Sequence, residues 1–455
     1  MKLWDPRVLP YKKVTTQKTT TLNINPPTVL FLGFILLITL GSLLLKLPIA
    51  THSEISWLQS IFTATSAVTV TGLAVVDTGT HFTLFGQMII ALLIQTGGLS
   101  FMTFAIVAAL SLGARLGIGQ QIIAQEAFNQ TSLEKVAYTA KYVLIYSLFI
   151  ELTGFLLLAA IWLNDLDFSK AVYHAFFYTI SAFNNAGFAL HSNSLMSFAG
   201  NLPINIVITT LFIIGGIGFL VLIDLKTQKS WHKLSVNTKI VLISTLIINF
   251  CAFVLIWILE IHNPATLGPL SPGDQASAAW FQAVTPRTAG FNTLAIEELT
   301  NATTTLIILL MFIGGGSLST ASGLKLGTFV VLIMATYTFL RRRDEVVILQ
   351  RTIPQSQVMK ALALTTVSII MIFIGIFFLT VLEKAPFIDI VFEVVSALST
   401  VGLSRGLTTQ LSTGGEIIII FLMIVGRVGP LTFAYFLATP KKKHIKYAHA
   451  DIQVG

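Results

Sequence analysis

Ser66-Ala67-Val68-Thr69-Val70-Thr71-Gly72 is the first of four segments that end alike, each held between two long apolar runs. The others are Ser181-Ala182-Phe183-Asn184-Asn185-Ala186-Gly187, Val284-Thr285-Pro286-Arg287-Thr288-Ala289-Gly290 and Ser396-Ala397-Leu398-Ser399-Thr400-Val401-Gly402. An aromatic stands ten residues before each terminal glycine: Phe62, Phe177, Trp280 and Phe392. Leu73, Phe188, Phe291 or Leu403 follows it. The glycines lie 115, 103 and 112 residues apart. Four like-sized units, each with one glycine turn, point to a pore with pseudo-fourfold symmetry built from one chain.

Composition sets the solvent. Hydrophobic residues make up 54% of the chain and charged residues 11%. Soluble domains carry about 25% charge. A chain so poor in charge cannot cover a water-facing surface, so lipid is its solvent. A helix needs about 20 apolar residues to cross the hydrocarbon. Eight runs are long enough: 29–47, 82–112, 143–163, 204–223, 240–261, 304–340, 361–382 and 417–437. The second is overlong, and the sixth is interrupted by small residues.

An even number of spans places both termini on one side. Lys2, Arg7, Lys12, Lys13 and Lys18 precede the first span, and Lys226, Lys229, Lys233 and Lys239 follow the fourth. Arg341, Arg342, Arg343, Arg351 and Lys360 follow the sixth, and Lys441, Lys442, Lys443 and Lys446 the last. Segments holding the glycine turns carry only scattered basic residues. The positive-inside tendency makes the termini cytoplasmic and opens the turns outward. The net charge of +8 therefore reads as topology, with no nucleic-acid partner expected. The first 25 residues are polar and basic, without a cleavable signal pattern. Cys251, the one cysteine, falls in an apolar run and reads as packing.

Between paired spans lie 57–71, 169–186, 275–289 and 386–401, too short to cross. Ser56, Ser169, Ser271-Pro272 and Pro386 are helix-start signals. Each segment reads as a half-helix that enters and leaves on one side. Non-helical backbone at membrane depth requires protein or a water-filled path around it. Four half-helices aimed at one axis place the negative ends of their dipoles toward it. Rings of carbonyls can replace an ion's hydration shell, and glycine permits the positive φ such a turn can require. A cation is the expected passenger. The candidate ion-binding residues are Thr69, Val70, Thr71 and Gly72; Asn184, Asn185, Ala186 and Gly187; Arg287, Thr288, Ala289 and Gly290; Ser399, Thr400, Val401 and Gly402.

These segments resemble the filters of the Ktr branch of the Trk/Ktr/HKT potassium-transporter superfamily, and the likeness covers 26–438. The resemblance implies an all-α polytopic membrane protein. Four parallel repeats, each a spanning helix, a pore loop and a second spanning helix, would surround one pore. Their bounds would be 26–112, 138–225, 239–340 and 358–438. Cytoplasmic segments would be 1–25, 113–137, 226–238, 341–357 and 439–455. The resemblance also implies potassium uptake at the cell membrane, with sodium influencing activity. Glycine at all four filter positions is the family's potassium-preferring pattern. The implied partners are lipid, a second copy forming a homodimer, and a cytoplasmic RCK-type ring of regulatory subunits. Nucleotide is expected on that ring, and the chain itself is expected to need no cofactor.

A second glycine layer follows each turn by 24 to 28 residues: Gly97-Gly98-Leu99-Ser100, Gly215-Gly216-Ile217-Gly218, Gly314-Gly315-Gly316-Ser317 and Gly426-Arg427-Val428-Gly429. Paired glycines permit close helix approach or a break. Residues 314–323, with Ser317, Thr320 and Gly323, are all small except Leu318. Each glycine costs about 1 kcal/mol of helix stability relative to alanine, so this stretch reads as an unwound loop. Lys325 follows, free to snorkel, pair with a carboxylate or lock the loop. Arg427 takes the place of Gly98, Gly216 and Gly315. Arginine at a helix centre costs about 2.5–3.5 kcal/mol and must face protein or water. It reads either as a gate with the 314–323 loop, which the family resemblance supports, or as a cap on backbone carbonyls. Glu151, Asp224 and Glu393 are carboxylates in or near apolar runs. Glu151 would pair with a polar neighbour or serve an ion, Asp224 would sit at the interface, and Glu393 would support a turn from behind or shape the outer field.

No His-Glu-x-x-His motif, Cys/His cluster or phosphate-binding Gly-Lys-Ser/Thr loop occurs. A transporter is expected rather than an enzyme. The alternative class is a secondary cation or solute symporter with a midplane site and inverted repeats. Two spans plus a loop restore the same orientation in each unit, which favours parallel repeats about an axis.

Overall fold

The computed structural model describes residues 26–100, 103, 133–430 and 432–433. The basic residues before the first span, Lys441–Lys446, most of the 113–137 loop and the ends of the second and eighth runs lie outside those residues. The described residues are mostly helical. One small hairpin, Val347–Ile348 (β1) with Arg351–Thr352 (β2), follows the sixth run.

The first unit is α1 (Pro26–Leu45), α2 (Trp57–Thr69) and α3 (Leu84–Gly98). The second is α4 (Leu133–Trp162), α5 (Phe168–Phe183), α6 (Leu202–Ile217) and α7 (Phe219–Thr227). The third is α8 (Val236–Glu260), α9 (Pro272–Val284), α10 (Asn301–Phe312) and α11 (Leu326–Leu340). The fourth is α12 (Gln355–Leu382), α13 (Phe387–Ser399) and α14 (Thr413–Val428).

Among the described residues, four helices are long and apolar enough to span alone: α1, α4, α8 and α12. Their side chains turn outward in stripes, as with Phe373, Phe377 and Phe378 on α12. Such a surface suits hydrocarbon. The fourth apolar run is not one straight helix. It breaks at Gly218, where φ is +100° and the chain turns by 89° between α6 and α7. The sixth run is split into α10 and α11 by 313–325.

The short helices α2, α5, α9 and α13 carry much of the buried surface. Their starts follow capping chemistry. Ser56 and Gln59 form a reciprocal capping box, and Ser271 accepts from Asp274 N ahead of Pro272. One start differs from expectation: Asp167, not Ser169, is the N-cap of α5. Pro386 stands at the start of α13, as its N-cap. Cys251 also departs from expectation, because it is exposed on α8 instead of packed inside. An apolar run buried in lipid does not require every residue to face protein.

Packing between units is cyclic. The second long helix of each unit lies on the short helix of the next: α3 on α5, α6 on α9, α10 on α13, and α14 back on α2. The last contact joins the fourth unit to the first. Aromatics and small residues interleave at these seams, with Phe212 edge-on to Phe281 and Phe291 against Tyr178. Arg405 ties the outer loops of the third and fourth units, bonding Asp389 at 2.6 Å and the Ile296 carbonyl at 2.9 Å.

Candidate functional site

Each short helix ends in the same turn. The residue two before each terminal glycine is left-handed: Val70 (φ 57°), Asn185 (59°), Thr288 (68°) and Thr400 (50°). Gly72, Gly187, Gly290 and Gly402 follow at φ 94°, 68°, 81° and 93°. A hydroxyl at or near the end of the short helix clamps each turn. Ser66 and Ser396 accept from the Gly72 and Gly402 amides, at 3.0 and 3.1 Å. Ser181 and Thr285 donate instead to the Phe188 and Phe291 carbonyls, at 2.7 and 2.5 Å.

The four glycines meet in a closed ring. A Cβ on Gly72 would lie 2.4 Å from the Ala186 oxygen, and one on Gly187 would lie 2.9 Å from Gly290 Cα and 3.1 Å from the Ala289 oxygen. A Cβ on Gly290 would meet the Val401 oxygen at 2.4 Å, and one on Gly402 the Thr71 oxygen at 2.1 Å. Each turn therefore presents the carbonyl before its glycine to the glycine of a neighbouring unit, and the sequence of contacts closes on itself. Any L side chain in this ring would collide with backbone and adopt a disfavoured φ.

The residue three before each glycine points away from the ring into the scaffold in three units. Thr69 bonds back to the Thr65 carbonyl at 2.7 Å. Asn184 donates to Gln95 at 2.7 Å and to Glu151 at 3.3 Å, and Gln95 also donates to Glu151 at 2.9 Å. Glu151 is thus paired to polar neighbours behind the second turn. Arg287 is buried, donating to Asn249 Oδ1 at 3.2 Å and to the Gly314 carbonyl at 3.0 Å. Ser399, in the fourth turn, is also buried. Glu393 is fully buried, accepting from Ser404 at 2.7 Å and from Thr408 in the loop after the fourth turn. Asp224 sits apart, capping the start of α8 through Thr238 and Ser235 N, at 2.6 and 2.9 Å.

The second glycine layer touches the first. A Cβ on Gly97, Gly215 or Gly426 would fall 1.9–2.0 Å from the carbonyl oxygen of Val68, Phe183 or Leu398, each four residues before a ring glycine. Close approach explains these three. Gly314 instead faces its own loop, 1.8 Å from the Ser322 oxygen by the same measure.

That loop is well braced. Gly314 N bonds Leu324 O at 2.9 Å, and Leu326 N bonds Gly315 O at 3.0 Å, closing its neck. Gly316 N and Thr320 N donate to the Gly216 and Gly215 carbonyls at 2.8 and 3.2 Å. Phe219 N returns a bond to Leu318 O at 2.8 Å, and Gly218 abuts Ser317 O. The break in the fourth run thus supplies the loop's seat. Gly323 makes the return at φ +67°. Lys325 turns inward, its Nζ donating to the Ala321 carbonyl at 2.7 Å.

Arg427 joins this loop to the first unit. Nη1 donates to Thr320 O at 2.6 Å and Ser322 Oγ at 3.2 Å, and Nη2 to Gly97 O at 2.6 Å and Gly98 O at 3.0 Å. Cavities of 180 and 190 Å³ flank it, and Ser322, Lys325 and Arg427 line both. Sequence reasoning named the residues of this layer but not its links to Asn185 and Arg287. Among the described residues, no group of three His, Cys, Asp or Glu could hold a metal ion.

Cyclic units, apolar outer helices and a central ring of glycines define a multi-pass membrane protein organised around backbone carbonyls. The TrkH family, described as a cation transport protein, matches residues 12–447. The chain is 47% identical to Ktr system potassium uptake protein B of Bacillus subtilis, over 95% of this chain and 97% of that protein. It is 42% identical to the protein of that name from Vibrio alginolyticus, over 94% and 95%. The crystal structure of the potassium transporter TrkH from Vibrio parahaemolyticus superposes with a TM-score of 0.71 at 20% identity, covering 93% of this chain and 86% of that one. The chain belongs to the TrkH cation transport family, in its Ktr branch.

Proposed function

We propose that this chain is the ion-conducting membrane subunit of a potassium uptake system. K+ passes through a pseudo-fourfold pore in which four re-entrant half-helices present the carbonyls of 69–72, 184–187, 287–290 and 399–402. The observation that carries this reading is the closed cycle of glycine against carbonyl from one turn to the next. It leaves backbone oxygen as the chemistry available around the ring, and such oxygen replaces the water of a dehydrating alkali cation. The relatives named as potassium uptake proteins support the choice of ion.

Below this filter, the 314–323 loop, Lys325 and Arg427 form the gate. A fixed guanidinium beside the path raises the barrier for a cation, and its four carbonyl and hydroxyl contacts hold the loop across it. Both termini are cytoplasmic, in the bacterial inner membrane. Two copies assemble, each with its own pore, on a ring of nucleotide-binding regulatory subunits, and sodium modulates uptake. The "system" in the relatives' names supports a partner.

The test is potassium-dependent growth of a transport-deficient bacterium carrying the wild type or Gly290→Ser. Wild-type rescue at low potassium with loss of K+ preference in the variant is expected. Equal rescue and equal preference would sink the carbonyl-ring reading. A symporter would instead couple uptake stoichiometrically to a co-substrate through inverted repeats, which the cyclic packing does not support.

A further inference from the structure

The loop that interrupts the sixth span is bonded to two filter turns as well as to Arg427. Thr320 Oγ1 donates to Asn185 Oδ1 at 2.8 Å and contacts the Phe183 carbonyl at 3.3 Å. Both acceptors belong to the end of α5 and the second turn. At the loop's other end, Arg287 of the third turn holds Gly314 O while its second terminal nitrogen is fixed by Asn249 of α8. All these groups are buried. Gly215 leaves the space for the first junction, since a Cβ there would sit 2.8 Å from Thr320 Oγ1 and 2.9 Å from Asn185 Oδ1.

Asn185 and Thr320 are 135 residues apart, and Arg287 and Gly314 are 27 apart. Both bonds run from a turn at the ring to the same loop. Asn185 is itself left-handed at φ 59°, a conformation that asparagine adopts more readily than most side chains. Removing Thr320 frees the Asn185 carbonyl-amide group, and moving Gly314 takes the acceptor from a buried guanidinium. Neither turn can keep its geometry unchanged while the loop swings away.

We propose that Asn185 and Arg287 are positioning residues through which the 313–325 loop sets the spacing of the second and third filter carbonyls, so that K+ over Na+ preference depends on the state of the loop. The inference rests on the pore reading above and adds a specificity role to residues that a simple gate would not need. A gate acting alone changes how many ions pass, and leaves which ion passes untouched. Coupled turns change both, because carbonyl spacing and rigidity decide which cation is dehydrated at least cost.

The test measures K+ and Na+ fluxes in vesicles of reconstituted full-length protein. Thr320→Val is expected to lower the K+/Na+ ratio about fivefold or more, the scale of one buried hydrogen bond. Thr320→Ser, which keeps the hydroxyl, is expected to restore it. Asn185→Ala should lower the ratio alone and add little on top of Thr320→Val, because both remove one bond. A Thr320→Val protein whose flux changes while its ratio holds would overturn the proposal, as would full additivity of the two substitutions. Should Thr320→Val not assemble, Arg287→Lys carries the same test: a lowered ratio supports the coupling and an unchanged ratio overturns it. Gly290→Ser separates the underlying reading. If wild-type vesicles pass no K+, or Gly290→Ser keeps the wild-type ratio, the pore itself is wrong rather than the coupling.

Discussion

Gly402 of the last unit stands against Thr71 of the first, so close that a Cβ on the glycine would lie 2.1 Å from the Thr71 carbonyl oxygen. This contact closes the ring across nearly the whole chain. Replacing Gly402 with Ser puts an L side chain at φ 93°, a region costing about 1–2 kcal/mol before any clash. Growth at low potassium and the K+/Na+ flux ratio should both fall, the ratio by about tenfold, as one 1.4 kcal/mol step would give. Wild-type growth with an unaltered ratio would show that the Gly402–Thr71 contact has no part in selection.

Arg427→Ala removes four donor contacts and the guanidinium that bonds both the loop and the Gly97–Gly98 carbonyls. If the guanidinium is a barrier, flux through reconstituted protein rises by about tenfold, which corresponds to about 1.4 kcal/mol of barrier. Thermal stability should drop at the same time, because buried carbonyls lose their charged donor. A variant with unchanged or reduced flux would make Arg427 a cap and nothing more.

Glu151→Ala leaves the Gln95 and Asn184 amides without their shared acceptor behind the second turn. Loss of a buried hydrogen-bond partner costs about 1–3 kcal/mol. The unfolding temperature in detergent should fall, and Glu151→Gln, which keeps one acceptor oxygen, should recover part of it. Equal melting of wild type and Glu151→Ala would show that the second turn holds without this support.

His191 lies in the loop after the second turn, its Nδ1 2.6 Å from the Tyr178 hydroxyl. Burial disfavours its imidazolium and holds its pKa below the ordinary 6.5. The unfolded chain therefore takes up this proton first. His191 contributes stability in full above pH 6.5, and that contribution is lost as pH falls through the folded-state value. Melting temperature should decline between pH 7.5 and pH 5, and His191→Gln should flatten that decline. Parallel pH curves for the two proteins would remove His191 as its source.

Much of the plan was legible in residue order. The four turns announced themselves because glycine, small polar residues and an upstream aromatic recur at like spacing. Interruption of the sixth run followed from the helix cost of three adjacent glycines. The 89° turn at Gly218 did not, because a Gly-Gly-Ile-Gly run serves close packing and breakage equally well. Lys325 could have snorkelled on chain length alone, and it stays inside because the Ala321 carbonyl is within its reach. Arg287 was legible as a turn residue through its backbone. Nothing in the order of residues said that its side chain reaches back to Gly314 and Asn249.

Hydropathy and glycine spacing are local properties, and they were enough to set the solvent, the repeat length and the place of each turn. Which turn touches which, and which carbonyl Arg427 finds, depend on groups about 330 residues apart. Such partners are chosen by packing helices against one another, because a buried donor takes whatever acceptor the assembled cycle brings within 3 Å or so. That choice exists only once the fourth unit has closed on the first.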